Sequence, residues 1–518
     1  MKKFYDIHMH AFDLSHPNLS AFFQREDIVD VWLKSEKKEE SECKFNFCKI
    51  IGLIVLLPVI LLLLALFIAA SPFILLVLIV ITIMAYKKWI SPYKTLKDAF
   101  MSIIKTLLKI ALKTSIAQKI IRTITFFEIP MEYQFLVLEH YLEKESGVKD
   151  NQIQIGENIY DKIVLCPLVI DFGYKNMHNA SVYKLTPKTP TAKQVGDLLY
   201  AIRTYYRFRI KLDDKDKNKM SLERIDGWEN CKQNKMFEIY PFMGLNTKNY
   251  DLKKLEELLD KYFKNFNKDN NNDTADERRN KLFEAMGMFD SNIYRDKLNL
   301  TEEEKENATV ELNKKHISFD YQYAFAGIKI YPQLGFDPYP NETKELEKVK
   351  YLYKYCIDKR IPITTHCSDG GYKTGDNDNL TSPLTKWKKV LEYEDETGKK
   401  PFEKLTLNFA HFGHQKRKRK WRDEIIRLAE KYPNVYTDIS CNDMSEKYYK
   451  DLKDDLKKNP HLQNKVLFGS DFSINLLVTE TESYDNNLSK FAEAKLEYQD
   501  LLCNHNSERF LFGGKIEE

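Results

Sequence analysis

The chain has 518 residues, 30% charged and 43% hydrophobic, which fits one large barrel carrying insertions and an otherwise ordinary globular protein. With 80 basic against 76 acidic residues the formal net charge is +4, and that near balance gives no global case for nucleic-acid binding. Eight scattered cysteines (Cys43, Cys48, Cys166, Cys231, Cys356, Cys367, Cys441 and Cys503) contain no C-x-x-C pair; they exclude a disulfide scaffold and read as reduced, mostly buried thiols.

The N-terminus, Met1-Lys2-Lys3-Phe4-Tyr5-Asp6-Ile7-His8, lacks the apolar run of a signal peptide, so export is not expected. Residues 1–13 read as a first strand, over 3–10. Alternation puts His8 and His10 on one face and Ile7 and Met9 on the other. If that face lines a barrel, two imidazoles converge on one spot, which suits a divalent transition metal.

An insertion over 14–125 follows. Residues 50–85 are almost purely apolar, about 36 residues where one span needs roughly 20. Ala70-Ser71-Pro72 offers a turn, so the segment at 49–88 reads as a transmembrane helical hairpin. A buried core hairpin and a single tilted span are the alternatives. Pieces of one site lie before and after the run, which requires an even number of crossings. Lys44 and Lys49 before it, with Lys87 and Lys88 after it, put both ends on the cytoplasmic side. A re-entrant hairpin remains open. Residues 93–122 read as a basic amphipathic helix, with Lys105, Lys109 and Lys113 on one face; it suits an anionic lipid surface, or packs solvated on the barrel.

From 126 to 518 apolar strand-like runs alternate with helical patterns, the mark of a parallel α/β architecture. The candidate strands are 3–10, 162–171, 236–242, 326–331, 361–366, 405–411, 434–440 and 465–471. Eight is the number of a (β/α)8 TIM barrel. Helical patterns include 343–358, 422–431 and 489–502, and an Asn/Asp-rich stretch opens an insertion running from 265 to about 315.

Strand five ends in Thr365-His366-Cys367, strand six in Ala410-His411-Phe412-Gly413 and strand eight in Gly469-Ser470-Asp471-Phe472. Metal-competent side chains thus recur at C-terminal strand ends, where barrels of this type carry their sites. A lone histidine at any of these positions would read as structural; the set reads as a metal site. The motifs Asp6-Ile7-His8-Met9-His10, Gly327-Ile328-Lys329-Ile330-Tyr331-Pro332, those three strand ends and Asn506-Ser507-Glu508-Arg509-Phe510-Leu511-Phe512-Gly513 resemble the amidohydrolase superfamily. The likeness is greatest to the branch containing aminocarboxymuconate-semialdehyde decarboxylases, and the hairpin departs from the usual pattern.

That resemblance implies a divalent metal, most often zinc, held by His8, His10, His366 and Asp471. His411 would bind a second metal or act on substrate, and Asp471 would double as the base that deprotonates metal-bound water. Lys329 is expected to point into the barrel, where a lysine is costly unless paired or functional. In binuclear relatives a lysine ending strand four is carbamylated and bridges two metals. One ion is the favoured count here, two ions with Lys329 and His411 the alternative, and an ion pair of Lys329 with Asp438 the structural one.

The implied function is a membrane-anchored hydrolase of amide, ester or related bonds acting on a small molecule, anionic or amphipathic. No nucleic acid is expected as partner, and a homo-oligomer is compatible with the chain. A decarboxylase uses the same metal set; a TatD-like nuclease would place an acid where Lys329 stands; a non-catalytic membrane scaffold would not need the full ligand set. His414, Gln415 and the run Lys416-Arg417-Lys418-Arg419-Lys420 lie beside the site and would either attract an anionic substrate or form a solvated helix start.

Overall fold

The computed structural model describes residues 2–13, 16, 115–145, 152–171, 191–212, 220–225, 234–264, 277–280, 282, 324–372, 378–416, 418–442, 445–478 and 483–513. One unit comprises residues 1–29 and 122–518 and carries everything below; a second comprises 30–121. Of the second only 115–121 are described, the start of helix α1 (Ser115–Glu128). The expected hairpin at 49–88 and most of the basic helix at 93–122 lie outside the described residues, as does most of the insertion at 265–315. Among the described residues no helix is long and apolar enough to cross a membrane.

All seven residues of strand β1 (Lys3–Met9) are buried, and so is every residue of β4 (Lys162–Pro167). Burial on both faces is the condition of a parallel sheet covered by helices, and it explains the apolar runs of these strands, which in β1 Asp6 and His8 interrupt on the inner face. Two short antiparallel hairpins, β2 (Ile153–Ile155) with β3 (Asn158–Tyr160) and β5 (Phe208–Leu212) with β6 (Met220–Arg224), are additions to the frame. The frame continues through β7 (Phe237–Ile239), β8 (Phe242–Gly244), β9 (Gly327–Ile330), β10 (Ile363–Thr365), β11 (Leu407–Phe409), β12 (Val435–Asp438) and β13 (Val466–Leu467).

The strands run β1-β4-β7 in one sheet and β8-β9-β10-β11-β12-β13 in another, all parallel. A bridge between Leu168 and Phe242 joins the two. The ring closes where Ile7 N donates to Phe468 O (3.1 Å) and Asp471 N to His8 O (2.7 Å). Eight strand positions therefore form a parallel barrel, in the order expected from the sequence. Helices α2 (Met131–Glu145), α3 (Ala192–Arg207), α4 (Leu252–Phe263), α5 (Thr343–Lys359), α6 (Lys420–Lys431), α7 (Glu446–Lys458), α8 (Tyr484–Glu493) and α9 (Asn506–Phe512) alternate with them.

Two expected elements differ. The third strand, expected over 236–242, divides into β7 and β8 at Tyr240-Pro241, because Pro241 has no N–H for a ladder. Tyr240 N still reaches Leu165 O, while Pro241 O accepts from Ala326 N, so the break hands the strand from β4 to β9. The helix expected over 489–502 stops at Glu493. Lys495 enters the left-handed region (φ 44°), its N–H donates to Ala492 O, and helical turns resume only at Gln499.

Candidate metal centre

Alternation along β1 turns Asp6, His8 and His10 inward together. Asp6 accepts from Ser470 N (2.9 Å) and Ser470 Oγ (2.6 Å), fastening the first strand to the eighth. Gly469 permits that closeness: a Cβ there would lie 2.7 Å from His8 Cβ. The turns that aim the remaining groups are strained. Asp471 (φ 58°), His411 (φ 62°) and Phe412 (φ 49°) all sit in the left-handed region, which is uncommon for non-glycine residues and concentrates at functional sites.

The ring nitrogens give the clearest reading. His8 Nδ1 lies 3.0 Å from Asp438 Oδ2, and His10 Nδ1 lies 2.9 Å from Leu168 O. His411 Nδ1 lies 3.2 Å from Ser440 O, and His366 Nε2 lies 3.0 Å from Gly370 O. Carbonyl and carboxylate oxygens only accept, so in the neutral ring each of these nitrogens carries the proton. The opposite nitrogens then carry lone pairs, and they face each other across the barrel mouth. His10 Nε2 is 3.1 Å and His8 Nε2 3.4 Å from Asp471 Oδ1; His411 Nε2 is 3.1 Å from His366 Nδ1.

Acceptors do not gather at such distances without an electrophile between them. Asp471 Oδ1 is buried and has no hydrogen-bond donor. The spacing matches donors shared by one cation, since tetrahedral ligands at about 2.0–2.1 Å stand about 3.3 Å apart. The ligating atoms of His8, His10 and Asp471 all fall within 4.8 Å of one another. The residues present therefore fit a divalent transition-metal ion, with each imidazole oriented by an acceptor behind it, as metal-binding histidines usually are.

Electrostatics agree. Burial, then the nearby charge of Lys329, pushes His8 down to about 3. Burial also lowers His411 and takes His366 well below its usual range. Burial alone would raise Asp438 and Asp471. In Asp438 the His8 imidazole and the Ser440 hydroxyl outweigh it, and in Asp471 the facing imidazoles of His10 and His8 do, so both are held below the usual carboxylate range. Neutral imidazoles beside ionised carboxylates are the protonation states that metal ligation requires.

His8, His10 and Asp471 thus form one group, and His366 meets His411. Lys329 Nζ stands 3.4 Å from His8 Nε2 and 5.8 Å from the centre of the Tyr331 ring, and burial pushes it down to about 8. No carboxylate lies within 4 Å of it among the described residues; Asp438 instead faces His8, Asn408, His411 and Ser440. The ion pair of Lys329 with Asp438 entertained from the sequence is therefore not formed. Tyr331 stacks on His366, with centroids 4.2 Å apart and 9° between planes.

Beside the site, Gln415 Oε1 accepts from Trp421 N and so caps α6, while Arg419 pairs with Asp423 and Asp455. Asp438, Asn408 and Ser440 are the members that sequence reasoning missed as a set. Their signal was present: in Thr437-Asp438-Ile439-Ser440 two polar residues alternate at the end of strand seven, as His8 and His10 do on strand one.

Comparison with known proteins bears on the same residues. The amidohydrolase family model matches residues 294–513, which hold Lys329, His366, His411, Asp438 and Asp471 but not β1. No curated protein matches. Among solved structures, an uncharacterized TIM-barrel protein from Bordetella bronchiseptica is 18% identical, covering 41% of this chain and 63% of its own, with a TM-score of 0.26. A Lactobacillus casei protein described as a metal-dependent hydrolase is 13% identical over 66% of this chain and 81% of its own (TM-score 0.27). A uronate isomerase from Bacillus halodurans is 13% identical over 54% and 60% (TM-score 0.27). The chain thus spans under two thirds of the first and third of these, and such low scores leave the site to its own residues. The family-model match, with the parallel barrel and the histidines at its strand ends, supports the amidohydrolase superfamily for this chain.

Proposed function

We propose that the protein is a metal-dependent hydrolase of the amidohydrolase type, cleaving an amide, ester or related bond in a small molecule. The observation that carries this reading is the convergence of unprotonated imidazole nitrogens and the donor-less Asp471 Oδ1 at the C-terminal ends of the barrel strands. Zinc suits imidazole and carboxylate donors. His8, His10 and Asp471 would hold it, with His366 completing the set as the resemblance implies. A bound divalent ion supplies Lewis acidity and brings the pKa of water to about 7.

The chain's own groups do the rest. Asp471 is ionised and accepts a proton at Oδ1. His411, buried and neutral, accepts or returns one at Nε2. Asp438 and Ser440 fix the tautomers of His8 and His411. Phe12, Phe127, Phe126 and Phe472 pack together beside the ligands and exclude water, which favours a substrate with an apolar part.

A second reading has two ions, favoured by the facing nitrogens of His366 and His411 and by the depressed ammonium of Lys329. Metal analysis of the purified full chain, with a screen of ester and amide substrates, tests both. One equivalent with metal-dependent hydrolysis supports the first and two equivalents the second. No metal and no hydrolysis would sink both.

The apolar run at 50–85 supports attachment to a membrane through a helical hairpin, with the barrel cytoplasmic. Replacing 49–88 by a short Gly/Ser bridge is expected to move the protein from the membrane pellet to the supernatant after carbonate wash, with its metal retained. A deletion variant that stays in the pellet refutes the anchor.

A further inference from the structure

The end of the barrel opposite the metal centre holds a cavity of about 470 Å³, within the usual range for small-molecule sites. Thr406, Asn434 and Lys465, which line it, each stand just before a barrel strand. Five cationic side chains line it (Arg278, Arg360, Lys404, Lys465 and Arg509), and no Asp or Glu does among the described residues.

The fold assembles these cations from distant segments. Arg360 occupies the left-handed stop of α5 (φ 52°), where its N–H donates to Ile357 O. Arg278 Nη1 donates to Phe512 O at 3.0 Å, and Arg509 Nη2 to Asn506 Oδ1 at 2.7 Å. Lys465 Nζ donates to Pro433 O and stands 4.9 Å from the Tyr436 ring centre.

Lys404, Lys465 and Arg509 have no carboxylate within 4 Å among the described residues, and Arg509 Nε is buried without a hydrogen-bond partner. Burial, then the charge of Arg509, pushes the Lys465 ammonium down to about 8. Like charges at a concave, half-buried site raise the local concentration of anions, and the planar forks of arginine match phosphate oxygens.

We propose that this pocket binds a soluble compound carrying two or more linked phosphate groups. The test is calorimetric titration of the full-length protein with sodium pyrophosphate at low ionic strength. Saturable binding is expected, weakening as salt is raised. Lys404→Glu should weaken it about ten- to a hundredfold, the worth of a charge-assisted contact. Lys404 is exposed and outside the core, so this variant should keep its fold and metal content. Lys447→Glu, an exposed lysine on another helix, should bind as the parent does. His10→Ala, which removes a metal ligand, should also bind as the parent does, separating this pocket from chelation at the metal centre. No binding at millimolar pyrophosphate overturns the proposal. So does binding lost in His10→Ala, or binding retained in full by Lys404→Glu.

Discussion

Asp471→Asn should lower turnover of the substrate found in the hydrolysis screen by about two to four orders of magnitude, the usual worth of a positioned general base. It should remove much less of the bound metal. The asparagine oxygen occupies the place of Oδ1 and still ligates, but an amide cannot take a proton. The parent carboxylate is held ionised although burial opposes it, because His10 and His8 outweigh the desolvation. Its oxygen has no donor to satisfy it, so it is free to ligate and to accept. Turnover and metal content measured on the same preparation separate the two roles. Equal loss of both would show that Asp471 acts only in holding the ion.

Asp438→Ala should be more damaging to the frame. Asp438 is fully buried and faces His8 Nδ1 (3.0 Å), Asn408 Nδ2 (2.7 Å), the backbone N–H of His411 (3.0 Å) and that of Ser440 (3.1 Å). Alanine would leave these donors unsatisfied at once. Each donor left unsatisfied in the interior costs about 1–3 kcal/mol, and losing the acceptor behind a ligand histidine lowers metal affinity about 10- to 100-fold. Calorimetric melting and chelator competition read these separately. Unchanged metal affinity would mean that Asp438 does not set the His8 tautomer.

The frame was legible because parallel strands covered on both faces are apolar over most of their length, and such runs stand out. The histidines were legible because they end those runs. What was hidden depended on pairing in three dimensions. Nothing local says that His366 Nδ1 meets His411 Nε2, or that Asp438 turns to His8 instead of Lys329. The split of the third strand was written in Pro241, but an apolar run on both sides of it masked the break. The hairpins of three and five residues carry too short a pattern for any period to emerge.

The closure of the ring has a further consequence. Asp6 and Ser470 are hydrogen-bonded across a sequence separation of 464 residues, and the ligands His8, His10 and Asp471 lie on the same seam. A cation there would join segments near the two ends of this unit, a clasp that closes most of its length into one loop. Loop-closure entropy grows slowly with length, by about 0.6 kcal/mol for each doubling, so this clasp restrains the unfolded chain more than a link between neighbouring strands would. Stripping the ion would then loosen the molecule first at this join, and the rest of the barrel would remain paired strand to strand behind it.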